Sequence, residues 1–406
     1  MLFTNMRPEN KRALWGISIL NFLWATASLM VFSILPAFMV DVLKLSTSHI
    51  GIVEGLAISS SFLSKFFSGI YSDIQKNRKP LIMIGTILNV LTKLSIFLAS
   101  SAYHVFAARF FDRLSKGIRA APTDALVADI SPQSDYAASF GLKQSFCSLG
   151  AVLGALLSMA LMLITKNDYQ TVFLMAIVPA LLAIIVAWYM VRPHKDSHPR
   201  NNHHYKKQKI TLRDLKEFPL NFWLLMLGIF FLMLARFSEA FLLLKAKDVG
   251  LSVAYLPLLL VFMDLVHAMI AFPVGRRADK LSRNLMMVLS LAIFFLADIV
   301  MFIANDVLGV TFGFLLVGIH CGISQGVMRA LIAELTVPHL RGTAFSLFFV
   351  ISGIAIFIGN SIAGFLSDHF GVSFAFLGGG FFAFLATIIV FAQSQQKTLA
   401  KNLQPI

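Results

Sequence analysis

Long apolar stretches separated by short polar clusters run the whole length of the chain. Uncharged runs extend from Ala13 to Val40, Tyr169 to Val191, Gly342 to Ser367 and Phe370 to Gln396. Each reaches the roughly 20 apolar residues a helix needs to cross hydrocarbon. Breaks at the charged and turn-rich clusters predict twelve helices, near 14–40, 50–71, 81–102, 103–125, 140–165, 169–191, 222–244, 252–274, 285–304, 308–333, 343–366 and 370–391. A helix of a water-soluble protein keeps one polar face, and most of these segments have none. The pattern therefore predicts an all-α membrane protein. The first run is too long for the apolar part of a signal peptide and lacks a small-residue cleavage site, so it is expected to be the first span.

Composition agrees. Of 406 residues, 58% are hydrophobic and 13% charged, too few charges to cover a soluble surface. The net charge of +14 would suit nucleic acid if it lay on a soluble domain. Here the basic residues sit in short segments between apolar runs, so they report topology and exclude that partner. Arg7, Lys11 and Arg12 precede the first span, Lys76, Arg78 and Lys79 follow the second, and Arg276, Arg277, Lys280 and Arg283 follow the eighth. The stretch from Arg192 to Lys216 holds eight more. The opposite loops carry chiefly Lys44, Lys166, Lys245 and Lys247. Both termini and the middle loop are thus expected on the cytoplasmic side of a bacterial inner membrane. The chain divides into a six-helix bundle at 1–191, a cytoplasmic linker at 192–218 and a second six-helix bundle at 219–406. His194, His198, His203 and His204 in the linker lack fixed helical spacing and read as part of a solvated tether rather than a metal site. Cys147 and Cys321 each fall inside a predicted span and give no disulfide framework.

The halves repeat. Gly69-x-x-x-Asp73 recurs as Gly275-x-x-x-Asp279, 206 positions on, and Ala125-Leu-Val-Ala-Asp129 recurs as Ala330-Leu-Ile-Ala-Glu334, 205 on. Gly69 to Asp73 with Lys76, Arg78 and Lys79 resembles the signature loop between spans two and three of the major facilitator superfamily. Gly275-Arg-Arg-Ala-Asp279 with Arg283 resembles its copy between spans eight and nine. Asn77 and Ser282 stand near the place of the pattern's second glycine. In the fourth span, Asp112-Arg113-Leu-Ser-Lys116-Gly117-Ile-Arg119-Ala-Ala-Pro122-Thr-Asp124-Ala-Leu resembles a bacterial branch of that superfamily. The resemblance implies two pseudo-symmetric six-helix bundles, transport by alternating access and no enzymatic activity. It also implies a cytoplasmic latch at Gly69, Asp73, Arg78, Lys79, Gly275, Asp279 and Arg283. Gly141, Gly150 and Gly154 are spaced like the family's antiporter motif, with Ala155 where that motif has proline; the same small residues also suit close helix packing.

Ionisable groups at bilayer depth are expensive and call for a reason. At about 100° per residue, Arg109, Asp112, Arg113, Lys116 and Arg119 share a stripe on the fourth span, four cations with one anion. Arginine's planar fork suits carboxylate or phosphate, so Arg109, Asp112, Arg113 and Lys116 are candidate substrate-binding residues. Arg236 with Glu239 and Asp264 with His267 fall at helical contact spacing. Because histidine titrates near physiological pH, these four are candidates for proton coupling, with a structural ion pair as the competing reading. Lys65, Lys93 and Asp298 receive no role. No P-loop motif occurs, so no cofactor is expected and the energy must come from an ion gradient or the substrate. The sequence is therefore expected to encode a monomeric secondary transporter of a small polar, anionic organic solute, coupled to protons. A multidrug efflux proton antiporter is the alternative, and a permease-like receptor that does not transport is the second.

Overall fold

The structure, a computed structural model, describes residues 6–75, 78–132, 136–191, 217–277, 282–336 and 340–402. Lys76, Asp279 and Lys280 lie outside them, as does 192–216 with the four histidines; of Asp73 only the helical backbone is described. Fourteen α-helices and no strand occur among the described residues: α1 (Pro8–Phe32), α2 (Leu35–Asp41), α3 (Thr47–Gln75), α4 (Lys79–Phe97), α5 (Ala102–Ile130), α6 (Tyr136–Ile164), α7 (Tyr169–Met190), α8 (Leu220–Ala235), α9 (Glu239–Asp248), α10 (Leu256–Arg277), α11 (Arg283–Ile303), α12 (Val307–Glu334), α13 (Arg341–Phe370) and α14 (Val372–Asn402).

Two expected spans are interrupted. The first divides into α1 and α2 at Ser33–Ile34, where Pro36 stands in the first turn of α2. A proline there has no N–H to give the preceding turn and fits only where a helix restarts. The seventh divides into α8 and α9 across Arg236, Phe237 and Ser238 without any proline. Instead Ser238 caps α9, its Oγ accepting from the Ala240 N–H at 3.2 Å while its own N–H donates to Asn360 Oδ1 at 2.8 Å. The two breaks fall at matching places of the sequence repeat.

With each interrupted pair counted as one, eleven segments among the described residues are long and apolar enough to cross a membrane. The twelfth span, α5, is long enough at 29 residues but carries the charged stripe, which removes it from the apolar set. Membrane crossing by α5 follows from the company it keeps rather than from its own hydropathy.

The chain forms two compact units. The first comprises residues 1–45, 56–200 and 252–261, the second 46–55, 201–251 and 262–406. In the first, Leu14, Ile17, Leu20 and Trp24 of α1 pack on Leu126, Val127 and Ile130 of α5 and on Ala183 and Ala187 of α7. Gly150 and Gly154 of α6 lie against the α1 backbone at Phe22 and Thr26, and Thr26 Oγ1 donates to the Gly150 carbonyl at 3.0 Å. A side chain at either glycine would collide with main chain, so both serve close helix packing. Gly141 has open space around it. In the second unit, α11 packs against both α12 and α14, and α14 also packs against α8.

Candidate functional site

The stripe on α5 is the centre of a charged constellation inside the first unit. Its carboxylate, Asp112, is buried and accepts from Lys93 Nζ of α4 at 2.7 Å and from Asn89 Nδ2 at 3.2 Å. Arg109 Nη1 lies 3.7 Å from the other carboxylate oxygen. The guanidinium groups of Arg109 and Arg113 lie over the ring of Phe32 at 4.9 and 5.2 Å, and that of Arg119 over Trp24 at 4.2 Å. Such stacking places a cation on the negative face of an aromatic ring. Arg119 also donates to Ser115 Oγ at 3.3 Å. Lys116 is exposed on the same face of α5 and feels the charges of Arg113, Lys65 and Arg119. Four cations, Lys93, Arg109, Arg113 and Arg119, therefore act on the Asp112 carboxylate, and Lys65 and Lys116 add to the positive field beside Arg113.

Other acids of this unit are engaged elsewhere. Asp124 pairs with Lys143, Asp129 with Arg78, and Asp41 accepts from the Tyr169 hydroxyl at 2.8 Å. The structure thus brings together Arg109, Asp112, Arg113 and Lys116 and adds Lys93, Asn89, Phe32 and Trp24. Gly85 and Gly117 make this possible. A Cβ on Gly85 would press on Arg119 and Ser115, and one on Gly117 would meet Ser61 and Ser64 of α3, so the stripe sits on helices in close contact.

The four proton-coupling candidates all lie in the second unit. Arg236, at the end of α8, donates to Cys321 Sγ at 3.2 Å, and the Cys321 thiol also feels the charges of Glu239 and Asp264. His267, half-buried on α10 with Asp264, feels Arg236 as well. The competing reading, an ion pair between Arg236 and Glu239, is not seen among the described residues: Arg236 closes α8 and Glu239 opens α9 across the break.

Of the latch residues, Gly69 comes near Ala121 of α5. Arg78 Nε lies 2.6 Å from Asp129 Oδ2, and Lys79 Nζ donates to the Trp188 carbonyl at 2.8 Å. In the second unit, Arg283 Nη1 lies 3.3 Å from Glu334 Oε2. Asp129 and Glu334 are equivalent members of the sequence repeat, so each unit makes the same tie between the start of its third span and the end of its fourth. The repeated acids and both arginines were visible in the sequence, whereas their pairing was not. Gly275 lies within α10.

A multi-pass helical membrane protein with an internal two-fold repeat and a charged interior has the architecture of a secondary transporter. The profile of the Major Facilitator Superfamily matches residues 17–265 and 225–404, and the chain belongs to that family, whose members are transporters rather than enzymes. An uncharacterized MFS-type transporter of Methanocaldococcus jannaschii is 28% identical over 373 residues, covering 88% of this chain and 90% of its own. Among solved structures, a bacterial homologue of the human lysosomal transporter Spinster, inward-facing and occupied, superposes with a TM-score of 0.76 at 15% identity over 96% of this chain and 97% of its own. A variant of the nucleoside transporter NupG superposes with 0.77 at 12% identity over 94% and 99%.

Proposed function

We propose that this transporter moves a small organic anion by alternating access, coupled to protons, across the bacterial inner membrane. The observation that carries the reading is the cationic stripe of α5, where Arg109, Arg113 and Arg119, with Lys93 of α4, act on the carboxylate of Asp112. An anionic solute bound at Arg109, Arg113 and Lys116 lowers the cost of holding these charges at bilayer depth. Asp112 holds Lys93 and Arg109 in place, and Phe32 orients the two guanidinium planes. In the second unit Arg236, Glu239 and Asp264 act on Cys321, and His267, in the field of Arg236, is the histidine placed to carry the coupled proton. Asp73, Asp279 and the basic residues beside them act as the cytoplasmic latch, setting rate rather than affinity.

The test is counterflow in proteoliposomes, with mono- and dicarboxylates, phosphate monoesters and lipophilic cations as competitors. Arg113→Gln is expected to weaken organic-anion binding at least tenfold, about 1.4 kcal/mol, while the protein still inserts. Arg113→Lys restores part of the affinity, since charge returns without the fork. Displacement by lipophilic cations alone, or normal anion binding by the Gln variant, would overturn the reading.

A further inference from the structure

The second unit contains a buried carboxyl group that none of the roles above uses. Asp298 lies on α11, five residues from its end at Ile303. Its side chain is 2% exposed, and its Oδ2 has no hydrogen-bond partner. It is set against α14 at Gly379 and Gly380. A Cβ built on Gly379 would stand 3.0 Å from Asp298 Oδ2, 2.8 Å from Phe237 Cε1 and 3.4 Å from the Ala235 carbonyl oxygen. The glycines therefore make a niche in which the carboxyl group meets the break between α8 and α9.

Among the described residues no charge balances it. On α14 there is no titratable side chain between Val372 and Gln396, and on α12 none between Val307 and Ile319. His320, the next on α12, is stacked on Phe294 at 4.3 Å and bonded through Nδ1 to the Ser290 carbonyl at 2.9 Å. Across the break, Arg236 is turned to Cys321. Glu239 is exposed in the first turn of α9. Lys245 donates to Ser373 Oγ at 2.6 Å, six residues before Gly379 on α14. Asp306 is occupied in capping α12 at the Gly309 N–H. An ionised carboxylate in this niche would be an uncompensated charge at bilayer depth, and a merely structural acid would have both oxygens bonded.

We infer that Asp298 is a proton-binding site of the second unit, holding a proton as the neutral acid and releasing it when α8 and α9 move at their break. Release passes the proton from the carboxyl to water and leaves a carboxylate, which the niche tolerates only once water or the Arg236 guanidinium reaches it. This inference rests on the proton-coupled reading above and moves a coupling site from the Cys321 cluster to the α11–α14 interface.

Infrared spectroscopy of the purified full chain in lipid reads the group directly and needs no substrate. The expected result is a C=O stretching band of a protonated carboxyl at neutral pH that shifts on transfer to deuterium oxide, bleaches as the bath is made alkaline, and is absent in Asp298→Asn. Asp298→Glu should keep a protonated band at a displaced frequency, which secures the assignment if the Asn variant fails to assemble. A wild-type band that persists in Asp298→Asn, or that neither exchanges nor bleaches, overturns the inference, as does the absence of any protonated band at neutral pH. Such a failure leaves anion transport standing, and a failure of transport leaves the spectroscopic result standing.

Discussion

Asp112 is the carboxylate on which Lys93, Arg109, Arg113 and Arg119 act, so its removal should be the most damaging change in the first unit. In Asp112→Asn the side-chain volume is kept and Asn89 retains an acceptor, while Lys93 and Arg109 lose their counter-charge. The Lys93 contact is 2.7 Å, with the two side chains only 2% and 8% exposed, so solvent screens it little. Removing one partner of such a buried pair costs about 3–5 kcal/mol, because the remaining charge is stranded. Equilibrium unfolding in mixed micelles, followed by tryptophan fluorescence, reads the loss. Lys93→Met in the Asp112→Asn background should recover about 2 kcal/mol, as expected for coupled neighbours. Recovery stays partial because Arg109, 3.7 Å from the carboxylate, is still stranded. A single variant within about 1 kcal/mol of the wild type, below the range for a broken buried pair, would refute the reasoning, and so would strict additivity in the double variant.

Three further outcomes follow from the same geometry. Asp129→Asn should lower stability more than Glu334→Gln, because the Arg78 pair is 12% and 15% exposed and the Arg283 pair 34% and 37%, and exposed pairs contribute only about 0–1 kcal/mol; thermal melts showing the reverse order would sink this. Asp168 caps α7, and its carboxyl is held below the usual carboxylate range chiefly by the Thr171 hydroxyl, with the Gln170 N–H adding to it; the stabilisation is present above the ordinary value of about 3.9 and lost as pH falls through the lower folded value, so the melting difference between wild type and Asp168→Ala should be constant near neutral pH and vanish in acid. Reporter fusions should place position 200 in the cytoplasm and position 167 outside, and opposite signals would contradict the orientation drawn from the basic loops.

Much of the fold was legible because hydrocarbon imposes one dominant constraint, the length of the apolar run. The stripe on α5 was legible for a related reason, since residues three and four apart must share a helical face. What the sequence withheld depends on which helices become neighbours. Lys93 carried no signal of its own, and its bond to Asp112 exists because α4 lies against α5. Phe32 and Trp24 were two aromatic residues among many until α1 brought them over the guanidinium groups. The break in the seventh span has no proline to announce it and is held by Ser238 and Asn360, which are distant in the chain. Asp298 was visible as an acid in an apolar segment, but its niche depends on glycines of α14.

The polarity of α5 also constrains how the protein is made. Apolar helices can leave the translocation channel singly, whereas a segment with this many charges is opposed by about 2.5–3.5 kcal/mol for each one placed near the helix centre. Lys93 and Asp112 neutralise each other across the short turn between α4 and α5, so the two helices together cost less to place in lipid than α5 alone. Asp112 therefore matters before any substrate is met, because it offsets part of the charge that α5 carries into lipid.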